Sequence, residues 1–401
     1  MLGRFFDFVR AYVSHLPRVR KLDFEEWLLT TTYNEERKNQ LRQAYTELRG
    51  GCPTERQCSH VDGFVKSEFY VQWKQARLIN SRHDAFKVWS GPAFKAMEQL
   101  VYGSIPEFIK HVPVPERSAC IDSMRQAGRR YFQTDFTAYE SHFTPQVLEG
   151  VECILYAHLM ADYADADLIR RTLCGLNRIR TRSGIKVHIQ GRRMSGDMCT
   201  SLGNGFTNLM LAKFIAHENH GSIIGYVEGD DGIFSTDFEL TQKQYQALGF
   251  SIKINEYADP RKASFCGLVF GCDNQIIRDP IKTFQGFGWT QSSIQAGTTI
   301  MMGLLHAKAL SAIYETPDCP IVGVLARQAL QRSAAYKPIF VQDGYHAPLP
   351  SFAIQPFNPT PNTRQLFAEV FGISLPAQLA IEQAIVDGDL DRVACLCPPP
   401  P

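Results

Sequence analysis

The 401-residue chain has no uninterrupted apolar run of transmembrane length, so no membrane-crossing helix is expected. Its eleven cysteines include no Cys-x-x-Cys pair, and no His-Glu-x-x-His stretch occurs, which argues against the common zinc patterns. The odd cysteine count and the lack of a signal-peptide pattern favour reduced thiols in a cytosolic setting. No Gly-x4-Gly-Lys-Ser/Thr loop and no Gly-x-Ser-x-Gly element is present, against a Walker-type nucleotidase and a serine hydrolase. No internal repeat is visible. Charge of one sign is also missing, the formal net being +1. That balance conceals an asymmetry: residues 1–134 hold 21 Lys/Arg against 15 Asp/Glu, and the remainder holds 21 against 26. A basic first third joined to an acidic remainder suits a protein that holds a polyanion near a cation site.

What is present describes a globular chain, with 44% hydrophobic and 21% charged residues and length for two or three subdomains. Its organising stretch is Tyr226-Val-Glu-Gly-Asp-Asp-Gly-Ile-Phe234, which reads as strand, tight turn, strand around Gly229-Asp230-Asp231. Adjacent carboxylates at a hairpin tip repel each other, and a hard cation such as Mg²⁺ or Mn²⁺ would remove that cost. An acidic surface turn is the competing reading of these residues alone.

Taken in order, Met1–Arg10 reads as an amphipathic helix, either at a membrane surface or, the favoured reading, packed on its own domain, and Tyr33–Leu48 reads as a helix stopped by Gly50-Gly51. Between Lys66 and Lys95 lie six basic residues against Glu68 and Asp84, and Arg77-Leu-Ile-Asn-Ser-Arg82 reads as a basic extended segment. Such a segment can cradle a triphosphate or a nucleic-acid backbone, although a solvated face is its commoner meaning. Phe94–Tyr102 reads as a helix. Arg129–Asp135 reads as a strand that sets Asp135 at its end, with Glu140 five residues on. Thr144-Pro145 opens a helix, and Arg178–Gln190 a hairpin around Ser183-Gly184. Ser195-Gly196 is a flexible turn, and Thr200 and Asn204 share a face of the helix that follows. His217 and His220 close that helix as structural residues. Glu239–Leu248 is expected as a short helix, Gly249–Ile254 as turn and strand with Lys253 on it, and Ser264–Phe270 as one further strand. Helical patterns dominate from Thr299, and the Cys397–Pro401 tail is expected to be disordered.

Together these pieces resemble the RNA-dependent RNA polymerases of positive-strand RNA viruses, most nearly the tombusvirus-like enzymes. Phe64-Val-Lys66 with Arg77–Arg82 looks like the basic fingers motif, and Asp135-x4-Glu140 like the first palm carboxylate motif. Arg193-Met-Ser-Gly-Asp-Met-Cys-Thr-Ser-Leu-Gly-Asn204 is similar to the Ser-Gly…Thr…Asn motif, the most diagnostic piece. Gly229-Asp230-Asp231 resembles the third palm motif, and Leu248-Gly-Phe-x-x-Lys253 and Phe265-Cys-Gly267 the two after it. The likeness runs over roughly residues 60–270, and six motifs in order say far more than any one.

The resemblance implies an α+β right-hand polymerase: residues 1–128 as N-terminal region and fingers, 129–144 and 191–272 as palm, 145–190 as a fingers insertion, and 273–401 as thumb and tail. It implies two divalent ions, Mg²⁺ or Mn²⁺, held by Asp135, Asp230 and, in an auxiliary way, Asp231. Lys66, Lys74, Arg77 and Arg82 would neutralise template and triphosphate charge, and Lys253 would protonate the leaving pyrophosphate. Asn204, Ser195 with Gly196, Thr200 and Glu140 would read the ribose 2′-hydroxyl. Implied partners are a single-stranded RNA template, the nascent RNA and NTPs; other viral replication proteins and host membranes are open, and the implied location is the host cytoplasm. Two departures stand out. Glu140 occupies a position where Asp is usual, which lengthens its reach by one methylene, and the chain is short for such an enzyme, leaving any accessory replication domain unaccounted for. A reverse transcriptase and a non-catalytic RNA-binding replicase component are the rival readings; the Ser-Gly…Thr…Asn motif argues against the first, and intact Asp135, Asp230 and Asn204 against the second.

Overall fold

The computed structural model describes residues 1–66, 68, 73–160, 165–290, 293–340 and 349–396; the expected disorder of the Cys397–Pro401 tail concerns residues outside these. The chain divides into two compact units, one formed by Met1–Lys66, Lys74–His111 and Gln126–Ala258, the other by Ser67–Trp73, Val112–Arg125 and Asp259–Pro401.

Among the described residues the first unit contains eight strands: β1 (His60–Val65), β2 (Leu78–Arg82), β3 (Arg130–Phe136), β4 (Leu176–Thr181), β5 (Lys186–Gln190), β6 (Ile223–Glu228), β7 (Asp231–Thr236) and β8 (Ile252–Tyr257). They form two four-stranded sheets, ordered β2-β1-β4-β5 and β6-β7-β3-β8. The second sheet is antiparallel throughout, whereas the first has one parallel pair, β1 with β4. The expected hairpins at Ser183-Gly184 and Gly229-Asp230 both form.

Helix Thr200–Glu218 lies at the centre of this unit, and its residues from Leu202 to Ala212 are buried without a break. Phe206, Leu209, Met210 and Phe214 join one core with Phe132, Phe136 and Tyr139. A helix buried on every side, its polar Asn204, Thr207 and Asn208 included, is one surrounded by protein. Helix Leu2–Val13 adds Phe5, Val9 and Val13 to the same core, as its amphipathic pattern predicts. Helix Asp84–Ser104 begins ten residues before the expected start and runs through Pro92, a residue that ordinarily interrupts a helix. Burial of Phe86, Val88, Phe94 and Met97 along its length overrides that local penalty, and Gly91 leaves the room that the Trp27 indole fills.

The second unit is mainly helical, with the small antiparallel sheet of β9 (Ser264–Phe265), β10 (Leu268–Phe270) and β11 (Ile276–Arg278). The single strand expected over Ser264–Phe270 is a hairpin, since Cys266 and Gly267 both adopt positive φ, 53° and 77°, and turn the chain. Helices Thr298–Glu315, Val322–Ser333, Pro361–Phe371 and Leu375–Asp387 match the helical patterns of this region. Val269, Ile277, Phe367, Ile373 and Ile381 form its core, and the Arg364–Glu382 ion pair at 3.0 Å lies beside it. Among the described residues no helix is long and apolar enough to cross a membrane, and the described cysteines are free.

Candidate active site

Strand β3 is the middle of the acidic centre. On one side Asp135 faces Lys253 of β8 in register; on the other Thr134 faces Gly232 of β7. The β6–β7 hairpin closes with Glu228 opposite Asp231, leaving Gly229 and Asp230 at the turn. Gly229 has φ +63°, a conformation that favours glycine, which accounts for Gly before the acidic pair. Residues far apart in sequence are thus set at neighbouring strand ends by pairing alone.

Beyond β3 the chain reverses through Ala138, at φ 51°, into the short 3-10 turn Tyr139–His142 that carries Glu140. Tyr139 fixes this turn. Its ring stacks on Phe136 at 4.1 Å, and its buried hydroxyl donates to the Asn204 carbonyl oxygen at 3.0 Å. The electrostatics register the resulting convergence. Loss of water around the Asp230 carboxyl raises its pKa, the Glu140 and Asp135 carboxylates raise it further, and the Arg77 guanidinium opposes them. Asp230 remains solvent-exposed at the hairpin tip, so this loss of water is partial.

Asn208, which the motif reading passes over, clamps the hairpin. Its Nδ2 lies 3.3, 3.2 and 3.1 Å from the carbonyl oxygens of Gly229, Asp230 and Asp231. It sits one helical turn beyond Asn204 on the same buried helix, and that i, i+4 spacing was a signal available in the sequence.

The residues grouped around Ser195 are held more tightly than a flexible turn would be. Ser195 Oγ accepts from Asn80 N–H at 3.2 Å and donates to Leu78 O at 3.3 Å, while Gly196 N–H donates to Asn80 O at 2.9 Å. A Cβ at position 196 would stand 2.8 Å from that same oxygen, so the glycine permits the loop to dock on β2. Thr200 Oγ1 donates to Met194 O at 2.9 Å. Asn204 is buried and its Oδ1 accepts from Arg193 Nε at 3.0 Å; because guanidinium only donates, this fixes which amide atom faces it. Among the described residues no hydrogen bond joins any two of Glu140, Ser195, Thr200 and Asn204, so the structure does not link the four expected ribose contacts to one another.

Arg82 requires a correction. Expected to face phosphate, it is buried, and all three guanidinium nitrogens are engaged: Nε and Nη2 with Asp197 at 2.8 and 2.9 Å, Nη1 with Cys58 O at 2.6 Å and Nη2 also with Asn177 at 2.9 Å. It ties β2 to the Ser195 loop. A second buried pair, Arg193 with Glu152, runs beneath the same loop, and Tyr156 donates to Glu152 at 2.9 Å. Lys66, Lys74 and Arg77 are exposed, and Lys66 N–H donates to Arg77 O at 2.8 Å where β1 and β2 part.

Among the described residues no three His, Cys, Asp or Glu side chains form a ready-made metal cage. The donor set suits a cation that completes its shell elsewhere. Mg²⁺ takes oxygen ligands and is commonly held by one or two carboxylates together with substrate phosphates and water. The Asp230 carboxyl, raised in pKa beside Glu140 and Asp135, is a group such an ion would favour in its charged form.

No curated protein matches the chain. Residues 116–259 match the model of a family described as viral RNA-directed RNA-polymerase, about a third of the chain, and this span holds Asp135, Glu140, Ser195, Asn204, Asn208, Asp230, Asp231 and Lys253. The match supports RNA-directed RNA synthesis, with an RNA template and nucleoside triphosphates as substrates.

Proposed function

We propose that this chain is a metal-dependent RNA-directed RNA polymerase of the tombusvirus-like kind, built as fingers, palm and thumb around the β6-β7-β3-β8 sheet. One observation carries the reading: Asp135 at the end of β3 and Asp230 at the tip of the paired β6–β7 hairpin come from separate parts of the chain, and the Asp230 carboxyl feels both Glu140 and Asp135, with the Arg77 cation opposing them. The family match over the same region supplies the chemistry.

Asp135 and Asp230, assisted by Asp231, would hold two Mg²⁺ or Mn²⁺ ions. When bound, such ions stabilise charge on the attacking 3′-oxygen and the leaving pyrophosphate oxygen. Arg77, Lys66 and Lys74 neutralise triphosphate and template charge. Lys253, in register with Asp135, donates a proton to the leaving pyrophosphate, a role worth roughly 10²–10⁴ in rate. Asn204, with its Oδ1 committed to Arg193, donates from Nδ2 toward the ribose 2′-hydroxyl, and Glu140 accepts from it.

The test of this assignment is substrate choice on one RNA template. NTPs are expected to be used and dNTPs refused, and Asn204→Ala is expected to lower that preference about tenfold or more. A parent enzyme that extends with dNTPs as readily as with NTPs would be a reverse transcriptase. Unchanged selectivity in Asn204→Ala would remove Asn204 from the ribose role.

A further inference from the structure

The β2-β1-β4-β5 sheet has two chemically different faces. One is turned toward the Ser195 loop, through the backbone bonds of β2 and the buried Arg82, Asn177 and Val61. On the other, alternation along β4 exposes Arg178 and Arg180, and their register partners on β5 are His188 and Lys186. Arg182 follows in the turn. Across the parallel pairing, Arg178 stands beside His60 and Arg180 beside Asp62, and Asp62 already pairs with His60 at 3.2 Å. Two residues along β1, on the same face, Phe64 is 39% exposed.

Arg178, Arg180, Arg182 and Lys186 form no ion pair among the described residues. Arg178, Arg180 and Lys186 on one small sheet face, with Arg182 in the adjoining turn, outnumber the neighbouring Asp62 carboxylate and repel one another, and a bound polyanion removes that repulsion. Cations recur every second residue along a strand, about 6.6 Å apart, with the neighbouring strand about 4.8 Å away. A row of this kind alongside an exposed aromatic ring suits single-stranded nucleic acid, whose backbone needs cations and whose bases stack.

We propose that the exposed face of β4 and β5, with Phe64 of β1, is a binding surface for single-stranded RNA outside the catalytic centre. It holds RNA while the opposite face of the same sheet positions the Ser195 loop. The proposal rests on the polymerase reading only for the choice of RNA as the polyanion.

The experiment uses the full chain and a fluorescein-labelled oligoadenylate, with anisotropy followed over a range of salt. The variants are Arg178→Ala/Arg180→Ala/Lys186→Ala and the charge-keeping Arg178→Lys/Arg180→Lys. The alanine variant is expected to bind about tenfold more weakly, with a salt slope shallower by about 2, since each single-strand phosphate that a cation neutralises adds about 0.7 to that slope. The lysine variant is expected to keep both affinity and slope, which separates loss of charge from loss of fold. Equal affinity and slope in parent and alanine variant would overturn the proposal. So would an alanine variant that loses only its binding to phosphatidylserine vesicles, which would assign the face to a lipid surface. Nucleotide incorporation by the same parent preparation judges the polymerase reading separately, because the binding measurement needs no turnover.

Discussion

Asn208 shares one amide group among three carbonyl oxygens of the hairpin turn, so its removal leaves those oxygens without their clamp while every carboxylate remains. Asn208→Ala is expected to cost about 0.5–1.5 kcal/mol in urea unfolding, the net worth of a hydrogen bond at a part-exposed turn. A turn displaced by about 1 Å is expected to lower kcat roughly 10²-fold with little change in KM for NTPs. A variant with full kcat would show that the turn holds its shape unaided. Asp230 supports a second prediction. Its carboxyl pKa is raised in the folded chain, so this group favours folding below its unfolded value, about 3.9, and that contribution is lost as pH rises through the folded value. Asp230→Asn is therefore expected to melt higher than the parent at neutral pH, with the advantage fading toward about pH 4. Adding Mg²⁺ or Mn²⁺ should raise the melting temperature of the parent and not of the variant; an equal rise in both would place the ion elsewhere.

At the scale of elements, the helix Thr200–Glu218 and the loop before it are held by two buried ion pairs. Gly203 makes room for one of them, because a Cβ there would overlap Glu152 and Arg193. Arg82→Ala removes one partner of a buried pair, expected to cost about 3–5 kcal/mol in thermal or urea unfolding, and Gly203→Ala, which crowds the Glu152–Arg193 pair, is expected to destabilise by less. Arg77→Ala, at an exposed position, is expected to cost less than Arg82→Ala and instead to raise KM for NTPs. If the two arginines behaved alike, the assignment of one to structure and the other to substrate would fail. This contrast also marks what the sequence could show. Strand ends, hairpin turns and the order of motifs are local, so Asp135, Asp230, Lys253 and the β4–β5 hairpin are legible from alternation and turn chemistry. The partners of Arg82 and Arg193 lie 115 and 41 residues away, and a basic residue in a basic run reads as surface until packing buries it. The β9–β10 turn was hidden for another reason, since Cys266 is not a residue that announces a positive φ.

At the scale of the molecule, the first unit contains both four-stranded sheets and every assigned site residue, while the second is mainly helical around its own core. Of the basic first third seen in the sequence, all but Ser67–Trp73 and Val112–Arg125 falls on the first unit with β1 and β2, and the acidic residues of β3 and the β6–β7 hairpin fold into that unit too. Under the proposed function, this would bring the groups that meet a polyanion and those that meet a cation to one unit.

The measurement that bears most directly on this account is incorporation of labelled nucleotides on a single-stranded RNA template. It is made with and without a primer, in Mg²⁺ and in Mn²⁺, with Asp230→Ala alongside. The account predicts template-length RNA from the parent enzyme and none from Asp230→Ala, with the variant still folded and still binding RNA. Normal synthesis by Asp230→Ala would contradict it.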